Sequence, residues 1–346
     1  MERSMNVSAQ PQRRTAEQMA TALRLGRVFN PHGVRQREEA AERQHVKMEL
    51  GNYMKFAHYT TAENALKIIR TKRLWMRNTT CMEDYREVRH GYDLLLKYFN
   101  EERTNTFVEA FDQSVPGAAR KAIDIFNGWW NANHFLNVYV TSFSEHAPED
   151  DVHGRLSMWR AFGTSKNARV ALIFRLPYGS FITDVLGIIF SPVAYLTEQQ
   201  LFANIDQVVL RARAERDFLA EQPHDIVQRL LIAMFYIGVS CVKHEGFMEE
   251  REWRAVYNPE MWHSPRMELS VEAVGGVPQH VHKMPLDRTV DASLADADLG
   301  TILDGVIIGP SQYPWVIHRA FGDELGKLGI SNPYDRVRAS LIPIRS

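Results

Sequence analysis

Short runs of alternating or continuously apolar residues predict β-strands along this chain, and the segments between them carry apolar residues every three or four positions. The strand candidates span residues 54–59, 74–76, 138–143, 170–176, 188–195, 252–257, 305–308 and 337–344. The helical spacing predicts a short helix capped at Thr60 or Thr61 and helices over 82–99, 118–135, 197–221, 225–242 and 313–328.

The order of these elements predicts an α+β fold, because helices are inserted among strands with which they do not alternate regularly. We expect a mixed central sheet flanked by helices, in one domain over residues 51–346 with a helical insertion at about 197–242. The glycines and prolines of residues 275–298 predict an exposed loop.

Residues 1–50 are predicted to form a separate N-terminal extension. Residues 1 to about 30 are polar and show little periodicity, which predicts a mobile tail or a loosely docked helix that can be removed at little cost. Residues 34–50 are rich in Glu, Arg, Gln and Ala and predict one solvated helix.

Composition narrows the classes of protein that this chain can belong to. Its 346 residues are 45% hydrophobic and 24% charged, which is typical of a globular protein. The net charge of −1 argues against a general nucleic-acid or membrane-surface binder. Residues 230–242 form the longest apolar run, which is too short to span a membrane. The short run and the near-neutral charge lead us to expect no membrane association. Cys81 and Cys241 match no metal or redox spacing, so we expect a reducing, cytoplasmic location.

Three polar triplets inside predicted strands carry the candidate chemistry: His58-Tyr59-Thr60, Ser142-Phe143-Ser144 and Glu250-Arg251-Glu252. Residues i and i+2 of a strand share a face, so each triplet directs two polar side chains to one side of a sheet. Adjacent strands of this kind would bring a histidine, hydroxyls and carboxylates into one cleft that could hold a ribose. The structural alternative is that half-solvated strands alternate polar and apolar residues anyway.

The third triplet continues into Arg254, which places Glu250, Glu252 and Arg254 on one predicted face. Two neighbouring carboxylates cannot both ionise freely, so the pKa of one should rise unless Arg254 or another cation compensates. A salt-bridge ladder is the structural alternative.

Trp159 could stack on a flat ligand, and the alternative for Trp159 is a place in the core.

The common nucleotide and hydrolase signatures are missing from the sequence. It contains no G-x-G-x-x-G, no P-loop, no H-E-x-x-H and no G-x-S-x-G motif. A dinucleotide would therefore be held without a Rossmann turn, and we expect no metal.

Several motifs in one order resemble a bacterial family known as domain of unknown function 2971, over residues 54–346. The motifs are His58-Tyr59-Thr60, Ala65 to Ile69 with Leu74, Thr141-Ser142-Phe143-Ser144, Met158-Trp159, Lys243-x-x-Gly246-Phe247, Glu250-Arg251-Glu252-Trp253-Arg254, Ile308-Gly309-Pro310 and Ser340-x-Ile342-Pro343-x-Arg345. The first fifty residues and a segment near 197–235 fall outside the pattern.

The layout of these motifs is similar to the ADP-ribosyltransferase fold, in which successive strands carry H-x-T or an arginine, S-x-S and E-x-E. Phe143 departs from the S-T-S form of the middle motif. The resemblance implies an enzyme that cleaves NAD at the bond between nicotinamide and ribose and transfers ADP-ribose to a protein or nucleic acid. Roles of this kind include toxins and anti-phage effectors.

The resemblance also implies roles for individual residues. Glu252 would stabilise positive charge that develops on the ribose, Glu250 would orient or deprotonate the acceptor, and His58 would bind a ribose hydroxyl. Tyr59 or Trp159 would stack on a ring. The residues implied in NAD binding are His58, Tyr59, Thr60, Ser142, Ser144, Trp159 and Arg254.

Two other functions are compatible with the sequence. One is a non-catalytic nucleotide-sensing or nucleotide-binding module that keeps the same fold. The other is a nucleic-acid-processing protein that uses Arg70, Lys72, Arg73 and Arg77 as a phosphate-binding stripe. The acceptor and the oligomeric state are left open.

Overall fold

The computed structural model describes residues 14–81, 85–131, 137–161, 168–340 and 342. The helices in these residues are α1 Ala16–Phe29, α2 Pro31–Arg43, α3 Ala62–Thr71, α4 Tyr85–Tyr98, α5 Glu101–Asp112, α6 Ala118–Asn131, α7 Leu156–Ala161, α8 Ile182–Leu186, α9 Glu198–Ala214, α10 Arg216–Ala220, α11 His224–Ser240, α12 Leu299–Ile302 and α13 Pro314–Lys327. The strands are β1 Tyr53–Thr61, β2 Arg73–Asn78, β3 Tyr139–Glu145, β4 Arg169–Pro177, β5 Ile188–Pro192, β6 Ala194–Tyr195, β7 Val242–Lys243, β8 Glu252–Tyr257, β9 Glu268–Val274, β10 Val277–Pro285, β11 Leu303–Ile308 and β12 Val337–Ala339.

The expected α+β fold with a mixed central sheet flanked by helices is confirmed. In the described residues the sheet has ten strands, in the order β12-β11-β4-β1-β3-β2-β10-β9, with β8 paired to β3 and β5 paired to β8. The β11–β12 pair is parallel, and the other pairs of this sheet that the structure describes are antiparallel. Strands β6 and β7 form a separate parallel pair.

Strand β3 is the centre of this arrangement, and the sheet splits along one of its edges. On one edge β8 pairs with β3 from Tyr139 to Ser144. On the other edge β2 pairs with the start of β3, at Tyr139 and Val140, and β1 pairs with its end, at Ser144 and Glu145. No described strand therefore pairs with the middle of that second edge.

The sheet is packed on both faces. One face carries a large helical core in which α11 is central, through residues such as Leu231, Phe235 and Val239. The other face carries a second core that includes Phe56, Phe174 and residues of α3 and α13. Helices α9, α10 and α11 occupy the segment that was predicted as a helical insertion.

The N-terminal extension differs from the prediction. A capping box between Thr15 and Gln18 starts α1, and Leu25, Val28 and Phe29 of this helix are buried in the helical core. The expectation of a loosely packed segment is therefore wrong for residues 14–30, and the extension contains two helices where one was predicted. Residues 1–13 lie outside the described part of the chain.

The region predicted as an exposed loop is also corrected. Strands β9 and β10 form a hairpin whose two-residue turn is Gly275-Gly276, both with positive φ, which glycine adopts at low cost. Strand β10 continues the main sheet by pairing with β2. The glycines and prolines of this region thus mark a turn and strand ends, and residues 277–285 form a strand of the sheet.

Candidate functional site

Six polar side chains gather on the sheet face that also carries the helical core, and we call them the Glu252 cluster. They are Ser142 and Ser144 of β3, Lys243 of β7, Glu250, and Glu252 and Arg254 of β8. The register of β3 with β8 pairs Ser142 with Arg254 and Ser144 with Glu252, so alternation puts these four side chains on one face. The serines of the S-x-S motif and Glu252 of the E-x-E motif therefore lie side by side.

Glu252 is the centre of the cluster and is almost completely buried. Its Oε1 accepts hydrogen bonds from the Ser142 hydroxyl at 2.5 Å and from Arg254 Nε at 2.8 Å. Its Oε2 lies 3.2 Å from Arg254 Nη2 and 3.5 Å from Lys243 Nζ. Both carboxylate oxygens therefore have cationic partners within the protein.

The electrostatics of the cluster follow from these contacts. Burial alone would raise the pKa of Glu252, but Arg254, Lys243 and the Ser142 hydroxyl outweigh burial and hold the pKa below its ordinary value. Arg254 thus compensates the negative charge of Glu252, which was one of the alternatives that the sequence left open. Glu252 is consequently a stable carboxylate and not a proton donor near neutral pH.

Glu250 does not lie in the strand, contrary to the predicted alternation. It ends a 3-10 turn, and Arg251 then adopts a left-handed conformation with φ of 43° before β8 begins. The side chain reaches the cluster through Lys243, whose Nζ lies 2.8 Å from Glu250 Oε2. Glu250 is also the more exposed carboxylate, with 22% of its side chain accessible against 7% for Glu252.

His58 does not share a face with the cluster, so the expectation of one cleft formed by His58, Ser142 and Glu252 is wrong. Ala57 pairs with Ser144, which places His58 on the opposite face, where its ring lies 5.7 Å from that of Phe143. His58 Nδ1 is 3.0 Å from the carbonyl oxygen of Ser142, in the split of the sheet. Burial lowers the pKa of His58, partly opposed by this hydrogen bond, so a neutral ring that donates through Nδ1 fits the site.

The other two residues of the first triplet, Thr60 and Tyr59, are not placed to bind a ligand at the Glu252 cluster either. Thr60 follows the same alternation as His58 and lies on the opposite face from Ser142. Tyr59 lies on the cluster face, but it is buried against Trp159 with the two ring centroids 4.8 Å apart. Trp159 is 2% exposed. The predicted stacking of Tyr59 or Trp159 on a ligand is therefore wrong for this conformation, and both rings belong to the core.

The contacts of two cations with the Glu252 cluster, Lys243 and Arg155, were not predicted from the sequence. Lys243 belongs to the Lys243-x-x-Gly246-Phe247 motif, but its contacts with both Glu250 and Glu252 depend on the placement of β7, which pairs with β6. Arg155 donates to the Ser144 hydroxyl at 3.3 Å and forms an ion pair with Asp150 at 2.8 Å. No local pattern marks Arg155, because its partners are brought together by the fold of β3 and the turn before β8.

Three of the four residues of the proposed basic stripe have acidic partners. Arg70 lies 3.0 Å from Glu324, Lys72 lies 3.6 Å from Asp287, and Arg73 lies 3.8 Å from Glu268. The fourth residue, Arg77, donates to the side chain of Gln279. These contacts argue against a phosphate-binding surface at this stripe.

The part of the chain that the structure describes contains neither a group of side chains suited to a metal ion nor a helix that could span a membrane. No three or more His, Cys, Asp and Glu side chains of these residues are grouped so that they could hold a metal ion. No helix among them is long and apolar enough to cross a bilayer. Pro343 and Arg345 of the last sequence motif lie outside the described residues.

Comparison of the chain with protein-family models, with curated proteins and with solved structures finds no match. The resemblance to domain of unknown function 2971 and to ADP-ribosyltransferases therefore stays a prediction from the sequence.

Proposed function

We propose that this chain is a nucleotide-binding module with the ADP-ribosyltransferase-like order of motifs, in which Glu252 has a structural role. The engagement of both Glu252 oxygens by Arg254, Lys243 and Ser142 is the observation that supports this proposal most directly. A carboxylate that already neutralises two cations contributes little to the stabilisation of a new positive charge on a ribose.

The nucleotide part of the proposal is supported by the order of strands. β3 lies between β1 and β8. Along the chain, β1 carries the H-x-T motif, β3 carries the S-x-S motif, and the turn into β8 carries the E-x-E motif, which is the order that the sequence resemblance implies. The positions of His58, Tyr59 and Trp159 argue against turnover, since none of the three is placed to orient NAD beside Glu252.

The second candidate is the NAD-dependent transferase, and the contact between Ser142 and Glu252 favours it. A hydroxyl 2.5 Å from a carboxylate oxygen fixes the orientation of that carboxylate, as a catalytic glutamate requires. In this function the bond from nicotinamide to ribose would break, the acceptor would form a bond to the same ribose carbon, and the acceptor's proton would pass to Glu250. Glu252 would first have to exchange a cation for the ribose.

Thermal stabilisation by NAD, together with release of nicotinamide, separates the two candidates. Saturating NAD at about 100 times its dissociation constant should add about 2.7 kcal/mol to the free energy of unfolding. A binding module shows this stabilisation without nicotinamide release. Release that falls about 100-fold in Glu252→Gln, and not in the surface control Glu63→Gln, would establish the transferase instead. Absence of both stabilisation and release would overturn the nucleotide proposal.

A further inference from the structure

A cavity of about 470 Å³ lies on the sheet face opposite the Glu252 cluster. The N-terminal helices α1 and α2 form one wall, and the other walls include residues of β1, β4, β5, β8 and α8. Protein interiors are closely packed and rarely leave voids much larger than a water molecule, whereas small-molecule sites have volumes of roughly 300–1,000 Å³. The cavity therefore has the dimensions of a binding site.

The wall formed by α1 is apolar for a reason that is visible in its sequence. Met19, Ala22, Leu23 and Gly26 recur at three or four positions and line the cavity. Each of them stays partly accessible, while the residues on the other side of α1 are buried in the helical core. Helix α1 thus has a second apolar stripe that no other part of the described chain covers completely.

The opposite wall is aromatic. Phe143, Phe190 and Trp253 line the cavity, and their rings contact one another, with centroids 5.7 Å apart for Phe143 and Phe190 and 5.2 Å apart for Phe190 and Trp253. These packed rings form a rigid surface, because each is held by its neighbours. Such a surface can receive a hydrocarbon without rearrangement.

Arg37 of α2 borders this apolar space with its guanidinium cation. Its guanidinium donates to the carbonyl oxygen of Phe190 at 2.5 Å and lies 5.0 Å from the centroid of the Trp253 ring. Within the described residues Arg37 has no carboxylate partner within 4.0 Å, whereas Arg14, at another part of the lining, is paired with Asp184. A guanidinium has five N–H donors, so Arg37 retains donors for an anionic group. Burial lowers the pKa of Arg37, yet the group stays charged at any physiological pH.

We propose that this cavity binds an amphipathic carboxylate of the medium-chain fatty acid class, with its hydrocarbon chain between α1 and the aromatic wall and its carboxylate at Arg37. An apolar chain alone would fill the space but would leave the Arg37 charge without a counter-ion. A single anionic group on a hydrocarbon chain satisfies both features of the site. The proposal is independent of the function assigned to the Glu252 cluster.

Titration calorimetry with octanoate, 1-octanol and octylammonium tests the ligand class on the full chain. Octanoate should bind saturably, octanol at least about tenfold more weakly, and octylammonium not at all, because hydrogen bonds between a guanidinium and a carboxylate are strong. Affinity should rise about fourfold for each methylene from butanoate to octanoate. Absence of octanoate binding, or equal binding of octanoate and octylammonium, would overturn the proposal.

Two variants locate the binding in this cavity. Arg37→Gln should weaken octanoate binding at least about tenfold and leave octanol binding unchanged, which also shows that the variant is folded. Ala22→Phe should fill the space beside α1 and abolish the binding of both ligands, while Ala20→Phe on the exposed side of the same helix should alter neither. Octanoate binding that survives both Arg37→Gln and Ala22→Phe would place the ligand elsewhere and overturn the assignment.

Discussion

The two faces of the sheet at β3 and β8 are built by alternate residues of the same strands, and they differ in polarity and in how completely they are packed. Ser142, Glu252 and Arg254 point to one face and form a closed set of hydrogen bonds and ion pairs. Phe143 and Trp253, which are their immediate neighbours in sequence, point to the other face and border a cavity.

The contrast shows how polar and apolar groups respond to burial. A buried charge without a partner costs several kcal/mol, so the polar face is closed by contacts from β7 and the end of α11, where Arg254 donates to the carbonyl oxygen of Ser240. Apolar groups have no directional requirement, so the aromatic face can border open space at the cost of lost dispersion contacts. The polar face is therefore expected to resist change, and the apolar face to accept a ligand.

Removal of residues 1–30 should produce the largest effect, because it deletes the wall of the apolar face. Leu25, Val28 and Phe29 would leave the core, and each buried side chain of this kind contributes about 1.5–3 kcal/mol. We expect the free energy of unfolding, measured in urea, to fall by about 5 kcal/mol or more. Removal of residues 1–13 alone keeps α1 and serves as the control. A loss below about 1 kcal/mol for the longer deletion would show that α1 is not docked.

Glu252→Gln should cause the next largest loss in the free energy of unfolding. It tests whether the ion pairs of Glu252 hold the polar face together. The substitution leaves Arg254 and Lys243 with one negative charge fewer, and breaking a buried ion pair costs about 3–5 kcal/mol. Glu250→Gln is the matched control, and its more exposed carboxylate should cost about 1 kcal/mol or less. Equal unfolding free energies for the two variants in urea would contradict the structural role of Glu252.

Phe143→Ala should lower the free energy of unfolding by less than the same substitution of a fully packed phenylalanine. Phe111 is completely buried in the helical core, so Phe111→Ala should reach the upper part of the usual range, about 5 kcal/mol. Phe143 borders the cavity, where empty space replaces part of the packing around its ring, so we expect a loss of about 3 kcal/mol. Denaturant titrations of both variants measure the difference, and a larger loss for Phe143→Ala would argue against the cavity.

The smallest expected effect is on the pH dependence of stability. The pKa of Glu252 is lower in the folded chain than its ordinary value, so the carboxylate stabilises the fold above the unfolded pKa of about 4.3. This stabilisation should be lost as the pH falls through the folded pKa. Wild-type protein should therefore lose more stability than Glu252→Gln between about pH 5 and pH 3. Parallel pH profiles of melting temperature for the two proteins would remove Glu252 from the acid response.

Local patterns allowed some of the fold and site to be predicted. The strands that carry Ser142 and Glu252 were identified because their alternation is contained in six or seven consecutive residues. The firm docking of helix α1 was missed because its apolar residues serve two faces, which hides the single stripe that marks an amphipathic helix. Strand β10 was missed because Gly275 and Gly276 were interpreted as a loop when they form a hairpin turn.

Side chains alternate along a strand whatever surrounds it, so the spacing of the motifs is enough to place Ser142 with Ser144 on one face and Glu252 with Arg254 on one face. Which of these faces meet depends on the packing of the strands against one another. The register of β1 with β3 places His58 opposite the serines, and a shift of one residue would have placed it beside them. Register depends on contacts between residues that are far apart in the chain, so it cannot be derived from the spacing within any one motif.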